Sequence, residues 1–155
     1  MKRLSSLFLL LVLPLAVQAH ESSLRVDDPW IREAPPTARV LGLFMGLHNA
    51  GAEELVILGA SSPASERVEI HRTVVEDGMA RMLPLEELRL APGERLDLEP
   101  GGYHLMLINP HQALRAGDEV RVLIQYDDNH VQAIQAPVRD DRGGDVDHSH
   151  HHHHH

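Results

Sequence analysis

Two histidines and two methionines are the residues of this sequence whose types and spacing could hold a metal ion. They are His71, then after ten intervening residues Met82, then after twenty-one more His104, and after one more Met106. Thioether sulfur and imidazole nitrogen are donors favoured by the soft ion Cu(I), which accepts low-coordinate or tetrahedral geometry. Zn(II) more usually recruits cysteine, histidine or carboxylate ligands. The two methionines therefore favour copper in its reduced state.

Strand geometry could bring these four donors together. Residues two apart on a strand point to the same face of a sheet, so His104 and Met106 are expected to lie side by side. His71 and Met82 flank a turn signal, Glu76-Asp77-Gly78, and a hairpin there would place them roughly level. We expect the site to lie between this hairpin and a third strand, near the surface.

Short apolar segments separated by turn residues recur along the chain, with almost no 3.6-residue periodicity. The strand-like segments are 40–48, 55–58, 68–75, 79–85, 88–90, 96–98, 103–108, 120–126 and 131–138. His20 to Pro36 contains few periodic signals, so we interpret it as a lead-in with one edge strand near Trp30. Short strands at this close spacing predict an all-β antiparallel sandwich or barrel.

The first nineteen residues have the pattern of an export signal. Lys2 and Arg3 precede an apolar run from Leu7 to Ala16, and Val17-Gln18-Ala19 offers small residues for cleavage. The run is too short to remain as a membrane span. Because the chain contains no Cys, no lipid anchor can form at that cleavage position. The prediction is a soluble periplasmic protein with no stable membrane insertion.

The remaining chain divides into one domain and a tail. Residues 20–138 have the length of one ordinary domain, whereas residues 139–155 contain a single apolar side chain, Val146, and predict a disordered His-rich tail. Those histidines are either a natural metal-gathering segment or a purification tag. The net charge of −9 repels phosphate backbones, which argues against nucleic-acid binding. The absence of Cys suits an oxidising compartment, and the fold must stand without disulfides.

The spacing H-x10-M-x21-H-x-M resembles the signature of the PCu(A)C periplasmic copper chaperones. Further segments that look like that family's recurring ones are Trp30-Ile31-Arg32, Leu47-His48-Asn49-Ala50-Gly51, Pro100-Gly101-Gly102-Tyr103-His104-Leu105-Met106-Leu107 and Leu114-Arg115-Ala116-Gly117-Asp118. The resemblance covers roughly residues 30–138. It implies a cupredoxin-like Greek-key β-sandwich in which His71, Met82, His104 and Met106 bind Cu(I).

The same resemblance implies a non-enzymatic carrier that delivers copper to the copper-site subunit of a cytochrome c oxidase, with a Sco-type copper protein as a further partner. Three alternatives stay open at this point. The chain could be an exported copper buffer or scavenger that binds both Cu(I) and Cu(II). It could be a copper-dependent enzyme resembling superoxide dismutase, although that would normally need a histidine-dominated site. It could also be an interaction sandwich in which these residues are incidental.

Other histidines and one methionine have ordinary explanations. Met79 is expected to pack in the interior. His48, His111 and His130 are expected at the surface, with His111 close enough in sequence to border the site. A separate Cu(II) site is open at His20, which would become the N-terminus after cleavage behind Ala19, or in the His-rich tail.

Overall fold

The computed structural model describes residues 22–127 and 130–140, and every regular element in this part of the chain is a β-strand. The ten strands of these residues are β1 (Leu24–Arg32), β2 (Val40–Asn49), β3 (Leu55–Ser61), β4 (Ser65–Glu76), β5 (Met79–Leu85), β6 (Leu88–Leu90), β7 (Arg95–Leu98), β8 (Tyr103–Pro110), β9 (Glu119–Tyr126) and β10 (His130–Arg139). The predicted all-β class is confirmed. The expected signal, His20 and the tail beyond Asp140 lie outside the described residues.

Hydrogen bonds connect the strands in the order β5-β4-β8-β7-β2-β1-β10-β9-β3-β6, and β4 also pairs with β3 and β8 with β2. Because β3 and β4 meet at Ala60 and Val68, the sheet closes on itself around one core. Among the described pairings, β1 with β10 and β7 with β8 are parallel, and the others are antiparallel. β5 is the outermost strand at one end of this order and is hydrogen-bonded to β4, and β6 is at the other end. None of the described residues forms a helix that is long and apolar enough to cross a membrane.

Alternation of apolar and polar residues explains which side chains fill the core. On β9, Val120, Val122 and Ile124 are buried, while Glu119 and Arg121, which alternate with them, are exposed. This period of two sends alternate side chains to opposite faces of the sheet. Each buried aliphatic side chain contributes roughly 1.5–3 kcal/mol relative to exposure, so the inward rows are what hold the strands in register.

The prediction of an edge strand near Trp30 was wrong. β1 lies inside the sheet, paired with β2 on one side and with β10 on the other. Its register shifts between Asp27 and Trp30, and Asp28 has a φ of 43°. A bulge here accommodates Pro29, which has no N–H to give to a ladder, and it interrupts the alternation that would have marked an interior strand.

The hairpin between β4 and β5 forms as predicted. Asp77 and Gly78 have φ values of 52° and 77°, as a type I′ turn requires. Thr73 pairs with Met82, and His71 pairs with Pro84. His71 and Met82 are therefore offset by two residues rather than level, and an offset of two keeps both side chains on the same face.

Met79 does not pack in the interior, contrary to expectation. It pairs with Glu76 beside the hairpin turn and is 58 % exposed. The tip of the hairpin extends beyond the core, so that a side chain on either face of β5 meets solvent. Met79 and Met82 thus share one strand and a similar exposure, but an odd separation of three places them on opposite faces.

Candidate metal centre

His104 and Met106 lie on the outward face of β8 and are nevertheless buried, with exposures of 4 % and 8 %. Between and beyond them, Leu105 and Leu107 point inward and belong to the main core. The two outward residues are covered by neighbouring structure, because the cavity at their side chains is also walled by Phe44 and by Pro100 before β8. The predicted same-face pair is therefore present and shielded from bulk water.

The register between β4 and β8 brings His71 directly opposite His104. The centroids of their rings are 5.8 Å apart. A metal ion lies about 2.0–2.1 Å from an imidazole nitrogen, so two rings sharing one ion have centroids no more than about 6.4 Å apart. The observed separation is within that limit. Two histidines thirty-three positions apart in sequence thus become neighbours on one face.

A cavity of about 210 Å³ connects three of the four candidate ligands: Met82, His104 and Met106. His71 does not line this cavity, and its ring contacts the site through the neighbouring ring of His104, 5.8 Å away between centroids. Met82 is 56 % exposed, so its thioether stands at the solvent side of the cavity. The sulfur donors are therefore unlike one another, one buried on β8 and one accessible on the outermost strand.

Each histidine ring has one nitrogen in a hydrogen bond and one buried nitrogen without a partner. Nδ1 of His104 lies 3.2 Å from the carbonyl oxygen of Gly102, and Nε2 of His71 lies 2.8 Å from Oε2 of Glu69. Nε2 of His104 and Nδ1 of His71 contact no hydrogen-bond partner among the described residues. A buried polar atom left unsatisfied costs about 1–3 kcal/mol, so these two nitrogens on paired residues fit a role as metal ligands.

The surroundings of the site set the protonation states of His104 and Glu69. Burial lowers the pKa of His104 below its ordinary value; the Gly102 carbonyl opposes this shift, and the charge of His71 adds to it. The Arg67 guanidinium, followed by the His71 ring, lowers the pKa of Glu69. His104 is therefore neutral near neutral pH, which a metal ligand must be, and Glu69 is a carboxylate.

The aromatic wall of the site was not predicted from the sequence. The Phe44 ring lies 6.3 Å from His104 and 4.9 Å from Trp30, between centroids. A Cβ on Gly42 would come within 2.6 Å of the Phe44 ring, so the absence of a side chain at position 42 lets the ring lie over β2. The Arg32 guanidinium stacks 5.5 Å from Phe44 and lines the same cavity. Alternation in Gly42-Leu43-Phe44 could have placed Phe44 outward, but nothing local indicated β8 as its neighbour.

The remaining histidines of the described region are separate from this centre. His111 and His130 are exposed, and His130 stacks on Tyr126. His48 is half-buried on β2, and none of the three lines the cavity. Within the described ranges, no group of three His, Cys, Asp or Glu residues is arranged to hold a metal ion.

A larger groove of about 510 Å³ lies elsewhere, beside Ser22 and Tyr126. The hydroxyl groups of these two residues are hydrogen-bonded to each other at 2.7 Å. This groove is lined by one imidazole, that of His130, and by no thioether, so it lacks the mixed donor set found beside His104.

Comparison with solved structures supports the fold assignment. A copper-bound PCuAC domain from PmoF2 superimposes with a TM-score of 0.66 at 18% identity, covering 77% of this chain and 94% of that domain. The solution structure of CuI-DR1885 from Deinococcus radiodurans gives 0.59 at 23% identity, covering 82% and 87%. The predicted cupredoxin-like β-sandwich is confirmed.

Related sequences give the family. A protein named "Putative lipoprotein Lxx21020" from Leifsonia xyli subsp. xyli (strain CTCB07) is 28% identical over 120 residues, covering 77% of this chain and 71% of that protein. "Uncharacterized protein RP573" from Rickettsia prowazekii (strain Madrid E) is 29% identical over 128 residues, covering 78% and 69%. Residues 24–138 match the family described as LpqE-like, "Putative lipoprotein LpqE-like". Since that match spans the whole sheet from β1 to Val138 of β10, this chain belongs to the LpqE-like family.

Proposed function

We propose that this protein is a carrier of Cu(I), with His71, Met82, His104 and Met106 as the ligands. The observation that carries the proposal is the pair of buried, unpartnered imidazole nitrogens on the neighbouring strands β4 and β8. Two thioethers lie beside them, one on β8 and one across the shared cavity. Nitrogen and thioether sulfur at one small site form the donor set that a soft cation favours.

The charge of the site supports the monovalent state. All four proposed ligands are neutral when they bind, and the guanidinium of Arg32 lines the cavity. No proposed ligand brings a negative charge, so the ligand set offsets none of the charge of a dication, and a monocation suits it better. Divalent ions would also prefer anionic oxygen or thiolate ligands, and no trio of such residues occurs in the described ranges.

The unequal exposure of the sulfur donors supports transfer rather than storage. Met82 is on the outermost strand and more than half exposed, whereas Met106 is almost fully buried. An incoming ligand can displace the Met82 thioether first while His104 and Met106 still hold the ion. Thioether ligation needs no deprotonation, so this exchange requires no proton transfer at sulfur. We therefore propose a carrier in preference to an enzyme or a sealed copper store.

The comparisons support copper as the cargo. The PmoF2 domain is described as copper-bound and DR1885 as the CuI form, and both share the fold that presents the site described above. The lipoprotein names within the family support export. The periplasm is the proposed location, and the export-signal pattern of residues 1–19 supports it.

The proposed recipient is the copper-site subunit of a cytochrome c oxidase, with a Sco-type copper protein as a further partner. The resemblance of the four-residue motif to the PCu(A)C signature supports this part of the proposal. Anaerobic mixing of the Cu(I) protein with each apo recipient, followed by separation and copper analysis, tests it. Copper should move to the recipient domain, and retention of copper on this chain with both recipients would contradict the delivery role.

Cu(I) titration tests the carrier function directly. The seven tail histidines from His148 onward are replaced by serine so that they do not bind copper, and the exported chain is titrated against a Cu(I) chelator without oxygen. One Cu(I) per chain is expected. Absence of chelator competition in this protein would overturn the proposal, and a stoichiometry above one would reveal a second site such as His20.

Copper affinity should depend on pH through the imidazoles. A histidine ligand must be neutral, so protons compete with Cu(I) once the pH falls below the imidazole pKa, ordinarily about 6.5. Burial lowers the pKa of His104, so competition at this ring begins at lower pH than for an exposed histidine. The affinity should be constant from about pH 8 to pH 7 and fall once the pH drops below the ordinary imidazole value of about 6.5 far enough for His104 to bind a proton. Chelator competition across this range measures it, and a flat profile down to pH 5 would count against imidazole ligation.

A further inference from the structure

Glu69 contacts His71 but has no place in the four-residue motif. Arg67, Glu69 and His71 alternate on β4, so their side chains form a row on the outward face of that strand. Within this row Arg67 Nε donates to Glu69 Oε1 at 2.7 Å, and Glu69 Oε2 lies 2.8 Å from His71 Nε2. The carboxylate is thus held from one side by a guanidinium and directs its other oxygen at the imidazole.

An ionised carboxylate only accepts hydrogen bonds. The proton of a neutral His71 ring must therefore be on Nε2, where it is donated to Glu69, and the lone pair must be on Nδ1. Nδ1 is the His71 atom that is buried without a partner. If Nδ1 carried the proton instead, the ring would bury an unsatisfied donor and set its Nε2 lone pair against a carboxylate oxygen.

His104 is oriented in the opposite sense. Its Nδ1 faces the Gly102 carbonyl oxygen, which only accepts, so that nitrogen carries the proton and Nε2 holds the lone pair. The two rings therefore leave different nitrogens without a proton, Nδ1 in His71 and Nε2 in His104. Both of these nitrogens are unpartnered in the described structure.

We infer that Glu69 is a positioning residue for the copper site: by holding the His71 proton on Nε2, it presents Nδ1 as the ligating atom. This inference rests on the proposed function, because the orientation matters for Cu(I) only if His71 is a ligand. Outer-shell partners of metal-bound histidines orient the ring and raise its basicity in this way. Arg67 supports the arrangement by fixing the direction of the carboxylate.

The substitution Glu69→Gln should invert the His71 tautomer. Arg67 Nε–H requires an acceptor, so it takes the amide oxygen and leaves the amide NH₂ facing His71 Nε2. Nε2 then becomes the hydrogen-bond acceptor. The proton moves to Nδ1, which can then no longer offer its lone pair to copper. The expected loss of Cu(I) affinity is about 10- to 100-fold, the range typical of outer-shell changes.

Glu66→Gln is the matched control. Glu66 also pairs with Arg67, at 3.1 Å, and it is exposed, but its described polar contacts do not include His71. The same chemical change at this position should leave both the His71 tautomer and the Cu(I) affinity unchanged. Glu66→Gln therefore controls for the loss of one carboxylate near Arg67.

Two measurements on the full chain, with the tail histidines replaced by serine, test the inference. Nitrogen-15 NMR of the histidine rings in the copper-free protein reports which nitrogen of His71 is protonated, and chelator competition reports Cu(I) affinity. We expect Nε2–H in the wild type and the Glu66→Gln variant, and Nδ1–H with weakened binding in Glu69→Gln. A wild-type proton on Nδ1 would overturn the inference, as would unchanged tautomer and affinity in Glu69→Gln. If the wild type had the expected tautomer but bound no Cu(I), the proposed function and the ligating role would fail while the tautomer assignment stood.

Discussion

Replacing Met82 with leucine should lower the Cu(I) affinity by more than about 100-fold, because outer-shell changes alone cost 10- to 100-fold and this change removes a proposed ligand. Leucine is close to methionine in volume but has no sulfur donor. Met82 is 56 % exposed, so the free energy of unfolding of the copper-free protein should change by no more than about 0.5 kcal/mol. Chelator competition and chemical denaturation measure the two quantities separately.

Met79→Leu is the control for this experiment. Met79 lies three residues earlier on β5, is 58 % exposed, and faces away from the cavity. Its replacement removes a thioether of equal exposure from the same strand and should leave the Cu(I) affinity unchanged. Equal losses of Cu(I) affinity in the two variants would mean that any thioether on the hairpin binds copper. Unchanged affinity in both variants would remove Met82 from the ligand set.

The substitution His104→Leu should abolish tight Cu(I) binding without destabilising the copper-free protein. His104 buries a nitrogen that makes no hydrogen bond, an arrangement that costs about 1–3 kcal/mol. Leucine removes that polar atom from an apolar site. The Gly102 carbonyl stays bonded because the Thr73 amide also donates to it, at 3.0 Å. Without copper, the free energy of unfolding should be unchanged or higher by about 1 kcal/mol.

Adding Cu(I) should stabilise the folded wild type but not the His104→Leu variant. A ligand that binds only the folded state at 1,000 times its Kd stabilises that state by about 4.1 kcal/mol. The wild type should show this stabilisation, and His104→Leu should not. Thermal unfolding with and without Cu(I) measures the difference, and a copper-dependent rise in the Tm of the variant would contradict the assignment of His104 as a ligand.

The two histidines of the site lower the stability of the copper-free fold. The His71 and His104 rings occupy a buried face that apolar side chains could fill, and each keeps one nitrogen unsatisfied. A fold selected only for stability would replace them. Their position opposite each other on β4 and β8 is the physical reason for proposing a ligand that satisfies both.

Much of the sheet could be predicted from the sequence because strand alternation and turn chemistry are local. The Asp77-Gly78 turn identified the β4–β5 hairpin, and the spacing of His104 and Met106 identified a same-face pair. Local patterns failed where the backbone departs from regular geometry. The bulge at Asp28 concealed an interior strand, and the exposed hairpin tip left Met79 in solvent.

The sequence by itself determined the donor types, the same-face pairs and the strand content, since each depends on residues close together in the chain. Only the tertiary structure decided that His71 lies opposite His104, that Phe44 walls the cavity, and that Glu69 and Gly102 each occupy one ring nitrogen. Those relations depend on the register between β4 and β8 and on how β2 and β8 pack, and register is set by the inward aliphatic rows of the whole core. Spacing within one segment does not contain that information. The ring nitrogens that remain available to a metal are therefore decided only when the sheet closes around its core.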